Sequence, residues 1–235
     1  MIPLIVVRPE PGASASIQAA QALGLAAQAH PIFAIRPEPW EPVPRDQADA
    51  LILGSANALR HGGTALDTLR GLPAYCVGET TAKAAKARGF TVACIGSGGL
   101  QSVVDRLAPG HRRLLRLTGV SHVPLALPPG IIMQTRAVYA SHALPMTPEL
   151  ARALGNQAVV MLHSGEAARH FEALCAAAAI DRTRIALAMI GPRLDALAGS
   201  GWALVRSADA PSDAALLALA SQMCQDTRWE AEKPR

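Results

Sequence analysis

Short apolar runs alternate with longer stretches of helical periodicity along most of the chain. Leu4 to Val7, Ala50 to Leu53, Ala74 to Val77, Thr91 to Ile95, Leu114 to Leu117, Ala158 to Leu162, Ile185 to Ile190 and Ala203 to Val205 are brief, apolar and often β-branched. That is the pattern of strands buried on both faces. Between them, Ser16 to Leu23, Thr80 to Arg88, Leu100 to Leu107, Glu166 to Ala178 and Ser212 to Gln222 are rich in Ala or Leu, which predicts helices. The alternation predicts α/β architecture with parallel sheets covered on both faces.

Two segments break the rhythm and read as extended, His30 to Pro37 and Ile131 to Leu144. The piece RPEPWEPVPRD cannot be helix interior, because proline lacks the amide donor and pushes each preceding residue to extended backbone. If both extended segments are crossings, residues 1–35 plus 143–235 form one α/β domain and residues 38–134 a second. Residues 30–37 and 135–142 are then two linker strands. An internal echo supports two similar halves: SANALRH (Ser55 to His61) and SGEAARH (Ser164 to His170) each follow a predicted strand. Tyr75 to Val92 is likewise matched by Ala188 to Val205 as strand, glycine turn, helix, glycine, strand. The tail after Gln225, DTRWEAEKPR, has no apolar face and is expected to fray.

Composition narrows the classes. With half of its residues apolar and 17% charged, the chain has too much to bury for disorder and too few charges for a coiled coil. Aromatic residues at 3% argue against stacked single-stranded nucleic acid and against a flavodoxin-like flavin site. A net charge of +4, with no basic stripe, suits a small polyanion better than a duplex. Cys76, Cys94, Cys175 and Cys224 are scattered in apolar strings without metal-ligand spacing and read as reduced packing residues. The opening MIPLIVV has no basic lead, and no apolar run approaches the roughly 20 residues that span a bilayer. The expectation is a cytoplasmic protein with no nucleic-acid or membrane partner.

In parallel α/β sheets, ligands sit beyond the carboxyl ends of the strands, where helix N-termini present unpaired donors to anions. Ser55, Ala56 and Asn57 fall at such a turn, as do Gly78, Thr80 and Thr81, then Ser97, Gly98 and Gly99, and in the other half Ser164 and Gly165. Taken singly, Ser55, Thr80 and Ser164 also read as plain helix caps, contributing about 1 kcal/mol each. No phosphate-loop string, dinucleotide glycine fingerprint or serine-nucleophile elbow is present. His30, His61, His122, His142 and His170 lack paired ligand spacing and read as solvated or capping.

The ordered series VVRPEP, ALILGSANAL, YCVGETTAKAAKARGF, AVY, VVMLHSGEAARHF, AMIGP and ADAPSDAALLALA resembles the uroporphyrinogen-III synthase family over nearly the whole chain. The resemblance implies two similar parallel-sheet α/β domains on a two-stranded linker, with an active site in the interdomain cleft. It implies a lyase with neither cofactor nor metal, acting on hydroxymethylbilane and met transiently by the preceding pathway enzyme. The substrate loses its hydroxyl as water, and its terminal pyrrole ring is inverted through a spiro intermediate before closure to uroporphyrinogen III. Tyr139 matches the family's tyrosine beside the cleft, and a phenol is a proton donor at neutral pH. A tyrosine there also reads as a packing residue with its hydroxyl tied off. Carboxylates of the substrate would meet Arg8, Arg116 and the turns named above.

The chain departs from the family at Pro192, Arg193, Leu194 and Asp195, where the family has Pro-Thr-Thr-Ala. Either Arg193, beside Pro192, takes over carboxylate binding from the lost hydroxyls, or that wall of the cleft has degenerated. His122 stands near a place where the family commonly has a second arginine. The alternative reading is a degenerate, non-catalytic tetrapyrrole-binding module of the same fold.

Overall fold

The structure, a computed structural model, describes residues 1–226. The expectation of a frayed tail falls, apart from Asp226, outside the described residues. In chain order, β1 (Leu4–Val6), α1 (Gly12–Ala22), β2 (Ala27–Ala29) and β3 (Phe33–Pro37) lead into β4 (Ala50–Leu53), α2 (Asn57–His61), β5 (Ala74–Val77) and α3 (Gly78–Ala87). Then come β6 (Val92–Gly96), α4 (Gln101–Val104), β7 (Arg113–Gly119) and the long β8 (Ile132–Ala143). The chain continues through α5 (Pro148–Leu154), β9 (Ala158–Leu162), α6 (Gly165–Ala177), β10 (Ile185–Met189), β11 (Leu204–Ser207) and α7 (Asp213–Gln225). It divides into two compact units, Met1–Ala34 with Ala143–Arg235, and Ile35–His142.

The first unit holds a five-stranded sheet in the order β11-β10-β9-β1-β2, with every pair parallel. Successive side chains of a strand point to opposite faces, and the core divides accordingly. Ile5, Val160 and Leu187 pack with Leu150 and Leu154 of α5 and Phe171 of α6. Leu4, Val6, Val159, Met161, Ala186 and Ala188 pack on the other face with Ala13 and Ala20 of α1 and Leu216, Ala220 and Met223 of α7. A sheet covered twice needs strands that are apolar throughout, which is why β1, β9 and β10 are legible as unbroken apolar runs.

The second unit builds on a six-stranded sheet in the order β3-β8-β7-β4-β5-β6. One face is well covered: Leu51, Leu53, Cys76, Leu115 and Leu117 pack against Leu59 of α2, Leu66 and Leu69 of a 3-10 turn (Thr64–Leu69), and Ala82 and Ala85 of α3. The other face carries a smaller cluster, Ala50, Ile52, Tyr75 and Leu114 against Val103 of α4. Two features thin that layer. The helix expected over Leu100 to Leu107 is reduced to the four residues Gln101–Val104, and no helix follows β7. The chain instead crosses from Val120 to Ile131 as an irregular strap containing Pro124, Pro128 and Pro129.

The β8 segment is more than a connection, since it pairs parallel with β7 from Arg113↔Ile132 to Gly119↔Tyr139 and so extends the second unit's sheet. Other boundaries differ for local reasons. α1 begins at Gly12 rather than Ser16 because the Glu10 carboxylate accepts from the Ser14 amide at 3.1 Å and from its hydroxyl at 3.0 Å, closing the first turn. α5 is absent from the predicted elements although Thr147 caps it and Pro148 occupies its first turn.

Candidate functional site

β4 and β7 end side by side, and the thinned layer leaves a cavity of about 410 Å³ at their carboxyl ends. Gly54 and Ser55 after β4, Gly99, Leu100 and Gln101 at the start of α4, Arg116 and Thr118 of β7, Ser121 to Leu125 of the strap, and Tyr139 of β8 line it. Of the expected site residues, Ser55, Arg116 and Tyr139 therefore meet here, together with the neighbouring glycine Gly99.

Arg116 interrupts the apolar run of β7, opposite Ile52 of β4 and Thr135 of β8. It is only 4% exposed. Its Nη1 donates to the Val123 carbonyl at 2.8 Å, whereas its Nε is buried without a hydrogen bond. No carboxylate among the described residues pairs with it. Burial pushes its pKa below the usual arginine value, with the Tyr139 phenol acting in the opposite sense. A guanidinium removed from water without a counterion is costly, so this group is poised to receive an anion.

Tyr139 reaches the cavity through an irregularity. Between Thr118 and Gly119 the β7–β8 register shifts, so that Thr118 opposes Ala137 and Gly119 opposes Tyr139. Such a bulge re-aims the side chains beyond it. A Cβ on Gly119 would lie 2.8 Å from Tyr139 Cε2, so the ring lies across the space that glycine leaves empty. The Tyr139 hydroxyl makes no hydrogen bond among the described residues, while that of Tyr75 is tied to His111 Nδ1 at 2.8 Å and to the Ala108 amide at 3.0 Å. His61 of α2 lies 6.3 Å from the Tyr139 ring, its pKa lowered by burial and by Arg60.

The remaining expected residues divide. Ser55 Oγ accepts from the Asn57 amide at 3.2 Å and Asn57 holds Arg60 at 2.9 Å, so both serve the short α2, and Ala56 is buried. Gly78 is the first residue of α3, at φ +74°, which makes Thr80 helix interior rather than a cap. Thr81 is buried inside that helix and presents no surface to a ligand. Ser97 and Gly98 precede only the four-residue α4, so the long helix N-terminus expected behind them is absent.

In the first unit, Ser164 caps α6, accepting from the Ala167 amide at 3.1 Å. A Cβ on Gly165 would lie 2.6 Å from Leu197 Cδ1, a packing reason for glycine there. Arg8 is held by Asp213 at 2.7 Å and reaches Ser16 Oγ at 3.4 Å. Pro192 and exposed Arg193 open a 3-10 turn of six residues, not an α-helix, so Arg193 faces no developed helix dipole. It has no ion-pair partner among the described residues.

Thr118, Ser121 and Gln101 carry no signal of their own in the sequence. The prolines of PLALPPG mark an irregular segment, but nothing local shows which sheet edge it covers.

The family described as uroporphyrinogen-III synthase HemD matches residues 14–218. The uroporphyrinogen-III synthetase of Helicobacter pylori 26695 is similar in structure, with TM-score 0.65 and 19% identity over 95% of this chain and 100% of that one. The uroporphyrinogen III synthase of the extremely thermophilic bacterium Thermus thermophilus aligns with TM-score 0.41 and 17% identity over 98% of this chain and 100% of that one. No curated protein sequence matches.

Proposed function

The chain belongs to the uroporphyrinogen-III synthase family of lyases, and on that premise we propose that its chemistry runs at the cavity at the ends of β4 and β7, beside Tyr139 of β8. The reaction is the dehydrating closure of hydroxymethylbilane to uroporphyrinogen III with inversion of the terminal pyrrole ring. The observation that carries this assignment is the pairing, on one cavity, of a buried guanidinium lacking an anion with a phenol whose hydroxyl is uncommitted.

Tyr139 donates its proton to the departing hydroxyl, which leaves as water, and the pyrrole nitrogen lone pair compensates the electron deficit as an azafulvene forms. The substituted carbon of the terminal ring attacks that electrophile, and the spiro species fragments and recloses. The proton released as the last ring regains aromaticity restores the phenol. Arg116, which lines the cavity and has no carboxylate partner among the described residues, holds a substrate carboxylate, charge-assisted and in a site of low dielectric. Ring inversion must outrun unassisted closure to the symmetric isomer, so holding the chain folded is the larger part of the task.

Arg8, Ser164, Gly165, Pro192 and Arg193 lie at the corresponding strand ends of the first unit's sheet. In this reading Arg193 and the turn donors take further carboxylates. The reading includes a cytoplasmic setting, supported by four free cysteines, and transient contact with the enzyme that supplies the substrate. No described helix is long and apolar enough to cross a membrane. The test is to give purified protein fresh hydroxymethylbilane, oxidise the products and separate the isomers. Type III with no added metal or nucleotide is expected; type I alone, at the spontaneous rate, refutes the reading and leaves the binding-module alternative.

A further inference from the structure

The strap that closes one side of the cavity is held almost entirely by two side chains. Within 121–127 no backbone group bonds to another backbone group among the described residues. At one end, the Val120 amide donates to the Tyr139 carbonyl at 3.0 Å, and His122 Nδ1 stays within its own turn, 3.1 Å from the Gly119 and Val120 carbonyls. Beyond that, the attachment consists of Arg116 Nη1 on the Val123 carbonyl at 2.8 Å and of Gln101. The Gln101 carboxamide grips Ala126 from both sides. Its Nε2 donates to the Ala126 carbonyl at 2.9 Å, and its Oε1 accepts from the Ala126 amide at 3.1 Å. The second Nε2 hydrogen goes to Asp105 Oδ1 at 2.9 Å, which sets the amide's orientation.

This pair of hydrogen bonds to main chain mimics a strand pairing in a segment that has none. Pro124 and Pro128 stiffen the piece on either side of Ala126, so releasing that point frees the strap as a unit. Val123 is 75% exposed, Leu125 and Leu127 are only partly buried, and no residue of the strap from Ser121 to Pro129 is fully buried. Arg116 serves both parts: it lines the cavity, and its Nη1 holds the strap while its Nε stays buried without a partner.

We propose that Gln101 is a positioning residue for the reaction: by clamping Ala126 it keeps the strap shut over the folded substrate while the terminal ring inverts. The inference rests on the function proposed above. It names the part of the protein that suppresses escape of the azafulvene and its unassisted closure to the type I isomer.

The experiment compares the unaltered protein with Gln101→Leu, which keeps helix propensity while removing both hydrogen bonds to Ala126. Two quantities are read: exchange of the Ala126 amide by NMR, and the ratio of type III to type I product. Losing two hydrogen bonds should raise the open population, and hence the exchange rate, roughly tenfold. The type III to type I ratio should fall by a similar factor. A second variant, Gln101→Glu with Asp105→Asn, restores an acceptor for the Ala126 amide and should recover part of both effects. A purely structural role would lower total turnover and leave the isomer ratio where it was. An unchanged Ala126 exchange rate in Gln101→Leu, or faster exchange with an unchanged ratio, overturns the inference while the proposed function stands. Type I alone from the unaltered protein overturns the function and, with it, this role for Gln101.

Discussion

Replacing Arg116 by methionine should stabilise the protein while weakening its hold on substrate, and the opposite signs make the prediction exacting. Methionine keeps an unbranched stem at the position paired with Ile52 of β4 and removes only the charged head. The loss is one hydrogen bond, from Nη1 to the Val123 carbonyl, worth about 1 kcal/mol, and that carbonyl belongs to an exposed residue and can turn to water. The gain is relief from burying a cation with no carboxylate beside it. Replacing even paired buried charges by apolar residues is often neutral or stabilising by about 1–4 kcal/mol, and here no partner charge is stranded. The net expectation is about 1–3 kcal/mol of added stability, or several degrees in Tm at about 2–4 °C per kcal/mol for a chain of this size. Against substrate, a lost charge-assisted contact of about 1.5–3 kcal/mol should raise KM roughly 10- to 100-fold. Urea denaturation and steady-state assays of the same preparation measure both. A destabilised variant with unchanged KM would refute the reasoning, because it would make Arg116 a structural residue.

Tyr139→Phe should keep the ring across Gly119 and lower kcat by about 10² to 10⁴, since only the donor is removed; an unchanged kcat removes the general-acid role. Arg193→Ala should raise KM by a factor that shrinks at high ionic strength, because the exposed guanidinium acts through a screened charge pair; a salt-independent KM equal to that of the unaltered protein leaves it as plain surface. Burial, reinforced by the Arg8 guanidinium and opposed by Asp213, pushes His163 down to about 4. The unfolded chain therefore takes up this proton near 6.5 and the folded one only near 4, so stability falls as pH drops from about 6.5 to 4, by about 3 kcal/mol in total. His163→Leu should flatten that part of the stability profile in urea titrations, and an identical slope in both proteins refutes the assignment.

Much of this molecule is written in contiguous residues. Ala50 to Leu53, Ala74 to Val77 and Ala158 to Leu162 are strands end to end, because a strand covered on both faces must be apolar at every position. The family, too, is legible as an ordered series of strand-turn-helix pieces over nearly the whole chain, and the family match covers residues 14–218. Arg116 stands out as a charge inside LLRL, and burial makes that oddity meaningful. The turns are less reliable. Seeing a glycine or hydroxyl after a strand does not tell how long the next helix is, and α2 and α4 prove too short to offer the expected N-termini. Thr81, a hydroxyl that reads as free in the sequence, is turned inward by the phase of α3.

What only the tertiary structure decided are relations between distant residues. The register shift at Thr118 and Gly119 sets Tyr139 over a glycine twenty residues earlier in the chain, and neither segment alone carries a signal for it. The strap takes its course from Gln101, which grips Ala126 across 25 residues. Local sequence determines which backbone conformations are cheap; where two such segments meet depends on the packing of everything between them, and the cavity exists because that packing leaves one face of a sheet thinly covered.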